Sequence, residues 1–170
     1  MDVCAVIFDR DGTIVVDEPY NGNPELVKPI AHAREAVAQL RAAGIPLAVV
    51  SNQSGIGRGL IDAEQVDAVN RRIDDLIGPF DVWLYCPHAP EDGCDCRKPK
   101  PKLILDAARM LGVHPSCCVV LGDKESDLEA ARAAGATGIK INGVRGLRDA
   151  VHEILGARRL GFLSGGRPNS

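Results

Sequence analysis

The chain has 170 residues, 45% of them hydrophobic and 25% charged, and carries a formal net charge of -3. That length suits one compact domain with its own core and leaves no room for a second large substrate-binding domain; the composition excludes a disordered chain, and the slight acidity argues against a nucleic-acid backbone as main partner. A short apolar stretch leads from Met1 to Asp9 without a basic segment, and no apolar run reaches membrane length, so a cytoplasmic protein with no membrane partner is expected.

Val3 to Phe8 is a continuous apolar run and reads as a buried strand. It leads into Asp9-Arg10-Asp11-Gly12-Thr13, which sets two carboxylates two residues apart on a turn that Gly12 can tighten. One member of such a pair can attack phosphorus while the other, if its pKa is raised, protonates the leaving oxygen. A phosphate dianion repels a carboxylate, so this chemistry requires a hard cation such as Mg²⁺ between nucleophile and phosphoryl group. Ile30 to Ala43 then reads as an amphipathic helix closed by Gly44, and Ile45 to Val50 as the second strand. Ser51-Asn52-Gln53-Ser54-Gly55 follows, with hydroxyls, amides and main-chain donors that suit phosphate oxygens; in isolation it reads first as a turn.

Asp62 to Ile77 is a helix that Asp62 and Gln65 open as a capping box, and Val82 to Tyr85 is the third strand. Six cysteines in a chain with no export signal and a sizeable core read as thiols or metal ligands rather than disulfides. Cys4, Cys117 and Cys118 lie in apolar runs, as small buried hydrophobes do. Cys86, His88, Cys94 and Cys96 instead share one Pro/Gly-rich loop, and three thiolates with one imidazole are the complement of a closed, structural tetrahedral Zn²⁺ site. Arg97-Lys98-Pro99-Lys100-Pro101-Lys102 adds cations where the loop returns to the strand ends, and Arg97 and Lys98 can serve a transferring phosphoryl group there.

A helix over Lys102 to Leu111, a strand over Cys118 to Leu121, a helix over Glu125 to Ala134 and a strand over Gly138 to Ile141 complete the alternation, with Gly112 and Gly135 closing helices. Asp123 ends the fourth strand much as Asp9 ends the first and is the natural third metal contact; Asp127, at a helix start, reads equally as a site residue or a cap. Leu147 to Leu155 reads as a last helix, and the domain is placed at 1–157 with 158–170 as a flexible tail. The fold class is therefore α/β, a three-layer Rossmann-like parallel sheet flanked by helices, with ligands at the carboxyl ends of the strands. Nothing demands more than a monomer.

On these motifs, from the first strand through Gly138, the chain resembles the haloacid dehalogenase superfamily of phosphohydrolases. Its Cys-x-His and Cys-x-Cys loop is similar to the zinc-loop branch, which includes heptose bisphosphate and histidinol phosphate phosphatases; Asn52-Gln53-Ser54-Gly55-Ile56-Gly57-Arg58-Gly59 and Gly122-Asp123-Lys124 look like the heptose enzymes. The resemblance implies that Asp9 forms an aspartyl-phosphate, that Asp11 is the general acid/base, and that Mg²⁺ meets Asp9, the Asp11 main-chain carbonyl and Asp123. It further implies that Ser51 and Lys98 hold the transferring phosphoryl group. Substrate contacts would come from Asp17, Glu18, Pro19 and Tyr20, from Asn52, Gln53 and Ser54, and from Arg97 and Lys124. The implied fold is a minimal sheet domain without a large cap, and the implied substrate a small phosphorylated sugar, namely D-glycero-D-manno-heptose 1,7-bisphosphate at its 7-phosphate, with histidinol phosphate as the alternative. A DNA 3'-phosphatase fits less well, because the chain is acidic and lacks aromatic-basic interleaving. A non-catalytic phospho-ligand binder would be expected to lose Asp9 or Asp123, and both are present.

Overall fold

The computed structural model describes residues 3–143 and 146–164. Among them, β1 (Ala5–Phe8), β2 (Leu47–Asn52), β3 (Val82–Cys86), β4 (Cys118–Gly122) and β5 (Thr137–Lys140) form one parallel sheet in the order β3-β2-β1-β4-β5. The helices α1 (Ala33–Ala42), α2 (Ala63–Ile77), α3 (Lys102–Met110), α4 (Glu125–Ala133) and α5 (Leu147–Ser164) cover its two faces. Alternation along β1 decides which helix meets which residue. Val6 and Phe8 join the core beneath α1, α2 and α5, whereas Ala5 and Ile7 join the core beneath α3 and α4. All four are fully buried, as a central parallel strand covered on both faces requires.

The expected elements are all present, with shifted ends. The helix expected from Ile30 begins at Ala33, because Ile30 donates its N–H to the Ile14 carbonyl and Val16 donates to Lys28, tying residues 28–30 antiparallel to the loop after β1. β2 begins at Leu47 rather than Ile45, whose N–H returns to Leu40 and closes α1. It also runs on through Ser51 and Asn52, which pair with Tyr85 and Cys86, so these polar residues are held by the sheet rather than by a turn. The last strand is drawn one residue earlier than expected, over Thr137–Lys140. α5 continues past Leu155 to Ser164, and residues 165–170 of the expected tail lie outside the described residues. The Asp62/Gln65 capping box forms in both directions, and Gly44, Gly112 and Gly135 take left-handed φ of 68°, 70° and 76°.

Chain order puts α1 and β2 on one side of β1 and β4 on the other, so the connections diverge at the carboxyl ends of β1 and β4. An open parallel sheet has its ligand crevice at such a point. Asp9 and Asp123 stand there.

Candidate active site

Asp9 leaves β1 with its N–H bonded to the Leu121 carbonyl of β4 at 2.8 Å, so the sheet itself aims it at the end of β4. Asp123 follows β4, and Asp127 opens α4 with its Oδ2 accepting the Lys124 N–H at 3.1 Å. The carboxylates of Asp9, Asp123 and Asp127 each offer an oxygen within 4.8 Å of the others. Two glycines permit this crowding. A Cβ at Gly12, whose φ is 83°, would collide with the Asp123 carboxylate, and one at Gly122 would collide with Asp127. An all-oxygen cluster of this kind fits a hard divalent cation such as Mg²⁺.

Lys98 reaches this cluster from the loop between β3 and α3. Its Nζ lies 2.5 Å from Asp9 Oδ1 and 2.7 Å from Asp127 Oδ1 and donates to the Val50 carbonyl at 3.0 Å. Burial alone would lower the Lys98 pKa, but Asp9 and Asp127 outweigh it and raise it, so the ammonium stays charged. Burial pushes Asp9 up to about 7; Lys98 opposes this, and Asp127 and then Asp11 add to it. Both partners of the pair thus move upward for different reasons, Asp9 chiefly through burial and Lys98 through the carboxylates around it.

Ser51, 3% exposed, accepts a 3.2 Å hydrogen bond from Gln53 Nε2, and the same amide donates to Asp11 Oδ2 at 2.9 Å. Asn52 faces Lys98: its Nδ2 donates to the Lys98 carbonyl and its Oδ1 accepts the Lys98 N–H, both at 3.1 Å. This amide, expected at the substrate, grips the main chain of the lysine instead. Ser54 is half-buried in the loop that follows.

The remaining expected contacts lie in the loops that follow β1, β3 and β4. Asp17, Glu18, Pro19 and Tyr20 are exposed, Asp17 pairs with Lys124 at 3.5 Å, and Tyr20, at a φ of 52°, brings its ring against Gly55. Arg97 donates to the His88 carbonyl at 3.3 Å, within the cysteine loop.

In that loop Cys86, His88, Cys94 and Cys96 converge, each with a ligand atom within 4.8 Å of the others. The sulfur–sulfur distances are 3.5, 3.0 and 3.7 Å, and His88 Nδ1 lies 3.5 and 3.3 Å from Cys86 and Cys96. A zinc tetrahedron has edges of about 3.5–3.8 Å, so the donor set fits with slight expansion. Burial, with Cys96 beside it, pushes the Cys86 thiol up to about 12. Burial works upward on Cys94 as well, yet main-chain N–H groups, that of Arg97 foremost, hold it down to about 7.

Sequence reasoning missed two residues. Thr13 is buried and donates its hydroxyl to Asp123 Oδ1 at 3.3 Å; a polar side chain two places after Asp11 was its only signal. Arg10, which the sequence reading assigned no role, is 1% exposed and bonded to Asp11 and to Asn70 of α2. Asp127 fills both of the roles left open for it, as cap and as partner of Lys98.

A family model of haloacid dehalogenase-like hydrolases matches residues 20–135. The D-glycero-β-D-manno-heptose-1,7-bisphosphate 7-phosphatase of Pseudomonas aeruginosa is 40% identical over 148 residues, covering 84% of this chain and 83% of that protein. The enzyme of the same name from Vibrio cholerae is 40% identical over 148 residues, covering 81% and 79%. The crystal structure of D,D-heptose 1,7-bisphosphate phosphatase from B. bronchiseptica, complexed with magnesium and phosphate, aligns with a TM-score of 0.79 at 28% identity, over 90% of this chain and 99% of that one. Matched from Tyr20 to Gly135, through every helix from α1 to α4, and built on the same sheet, the chain belongs to the haloacid dehalogenase-like hydrolases.

Proposed function

We propose that the protein is a Mg²⁺-dependent phosphatase that hydrolyses the 7-phosphate of D-glycero-β-D-manno-heptose 1,7-bisphosphate. The observation that carries the reading is the buried Lys98 ammonium held between Asp9 and Asp127 at the edge of a cluster of carboxylates. A nucleophile and a phosphoryl-binding cation are thereby poised at one point of the sheet. Relatives of about 40% identity that carry the heptose name support the substrate and its anomer.

Asp9 attacks phosphorus as the bond from phosphorus to the C7 oxygen breaks, and Asp11 delivers its proton to that oxygen. Water then attacks the aspartyl-phosphate and gives a proton to Asp11, releasing inorganic phosphate and restoring Asp9. Lys98 and the Ser51 hydroxyl hold the transferring oxygens, and Asn52 keeps Lys98 in place through its main chain. Asp9, Asp123 and the Asp11 main-chain carbonyl would hold Mg²⁺, which would supply the positive charge that an anionic nucleophile needs to approach an anionic substrate. Cys86, His88, Cys94 and Cys96 would hold Zn²⁺, which would order the loop that carries Arg97 and Lys98. Arg97, Lys124 and residues 17–20 are assigned to the sugar and its second phosphate, for which an Arg offers paired, charge-assisted hydrogen bonds.

Phosphate release from a panel of both heptose bisphosphate anomers, histidinol phosphate and a 3'-phosphorylated oligonucleotide tests the assignment. The β anomer is expected to have the highest kcat/KM. A preference for histidinol phosphate would overturn the substrate and leave the mechanism standing.

A further inference from the structure

We propose that Arg10 and Asn70 are a positioning pair that sets the direction of the Asp11 carboxylate, and the inference rests on the reading of Asp11 as general acid. Arg10 lies between the two aspartates but turns inward. Its Nε stands 3.1 Å from both Asp11 oxygens, and its Nη1 donates to Asn70 Oδ1 at 2.9 Å. Arg10 is 1% exposed and Asn70 7% exposed, so this is a cation in the protein interior with one charged and one neutral acceptor. A buried guanidinium stripped of an acceptor is strongly destabilised, so each contact constrains the other.

The guanidinium plane is rigid, and fixing its Nη1 on α2 fixes the direction in which its Nε can meet Asp11. Gln53 also donates to Asp11 Oδ2 at 2.9 Å, so the carboxylate is held by a second side chain besides Arg10. A proton donor must be aligned with the oxygen it protonates, and the alignment of Asp11 is thus determined by a helix 60 residues away in sequence.

General acid help matters most for poor leaving groups. The test is therefore kcat/KM for Asn70→Leu, which removes the acceptor, and Asn70→Asp, which keeps one, on 4-nitrophenyl phosphate, phenyl phosphate and the heptose bisphosphate. This parameter reports steps up to the first phosphoryl transfer and ignores the later hydrolysis of the aspartyl-phosphate. Asn70→Leu is expected to lose about tenfold on the heptose bisphosphate and less than about threefold on 4-nitrophenyl phosphate, while Asn70→Asp stays close to the parent on each. Arg10→Lys, which keeps the charge but not the fork, is read in the same way should Asn70→Leu fail to fold. Equal losses across the substrates, or no loss, would overturn the pair. Asp11→Asn serves as the control: if it too loses equally on all three substrates, the acid assignment has failed, whereas a graded loss for Asp11→Asn with a flat one for Asn70→Leu sinks the positioning role alone.

Discussion

Asp9 shows how one side chain couples burial and charge. An ordinary aspartate titrates near 3.8, and here burial and its carboxylate neighbours raise Asp9 to about 7. The folded protein therefore holds a proton that the unfolded chain releases, and between these two values the Mg²⁺-free fold loses stability as pH rises, with no further loss from this group above about 7. A Mg²⁺ held by Asp9, as proposed, would bind the ionised form, so below about 7 it would have to displace that proton. Mg²⁺ affinity, measured by titration calorimetry, is thus expected to weaken by about tenfold for each unit of acidification below that point and to level off above it. Asp9→Asn should abolish both turnover and this pH dependence while keeping the fold. An affinity that is flat from pH 6 to 8 in the parent would contradict the assignment.

At the level of elements, the loop between β3 and α3 bears most directly on the site, because it carries Arg97 and Lys98 yet holds few apolar residues to fix it. Its order comes from metal-type donors and from cross-links to neighbours. Gly57 donates to the Pro87 carbonyl at 2.8 Å and Asn52 clasps Lys98, while Arg97 reaches His88 within the loop itself. Cys96→Ser should remove the metal, which elemental analysis of the parent should show at about one zinc per chain. Loss of the metal should lower the melting temperature and reduce kcat, as Lys98 loses its support. Unchanged activity in a zinc-free Cys96→Ser protein would separate the loop from catalysis.

Across the whole molecule, stability is centred on β1, whose two sides meet two different helical layers. Ile7→Ala, in a fully buried position, should cost about 2–5 kcal/mol in urea unfolding. Met110→Ala, at an exposed position on α3, should stay within about 0.5 kcal/mol. No described helix is long and apolar enough to cross a membrane. The alternating apolar runs, the helix-closing glycines, the capping box and the metal-type loop are all local signals, because strand burial, left-handed backbone and ligand spacing are decided within a few residues. The sequence by itself therefore determined the α/β class, the two aspartates after the first strand, Asp123 after the fourth and the four loop ligands as candidates. Only the tertiary structure decided that Lys98 would lie between Asp9 and Asp127, that Asn52 would turn from the crevice to the lysine's main chain, and that Arg10 would point inward to Asn70. These contacts join residues dozens of positions apart, and their directions follow from strand register and helix placement, which no local pattern encodes.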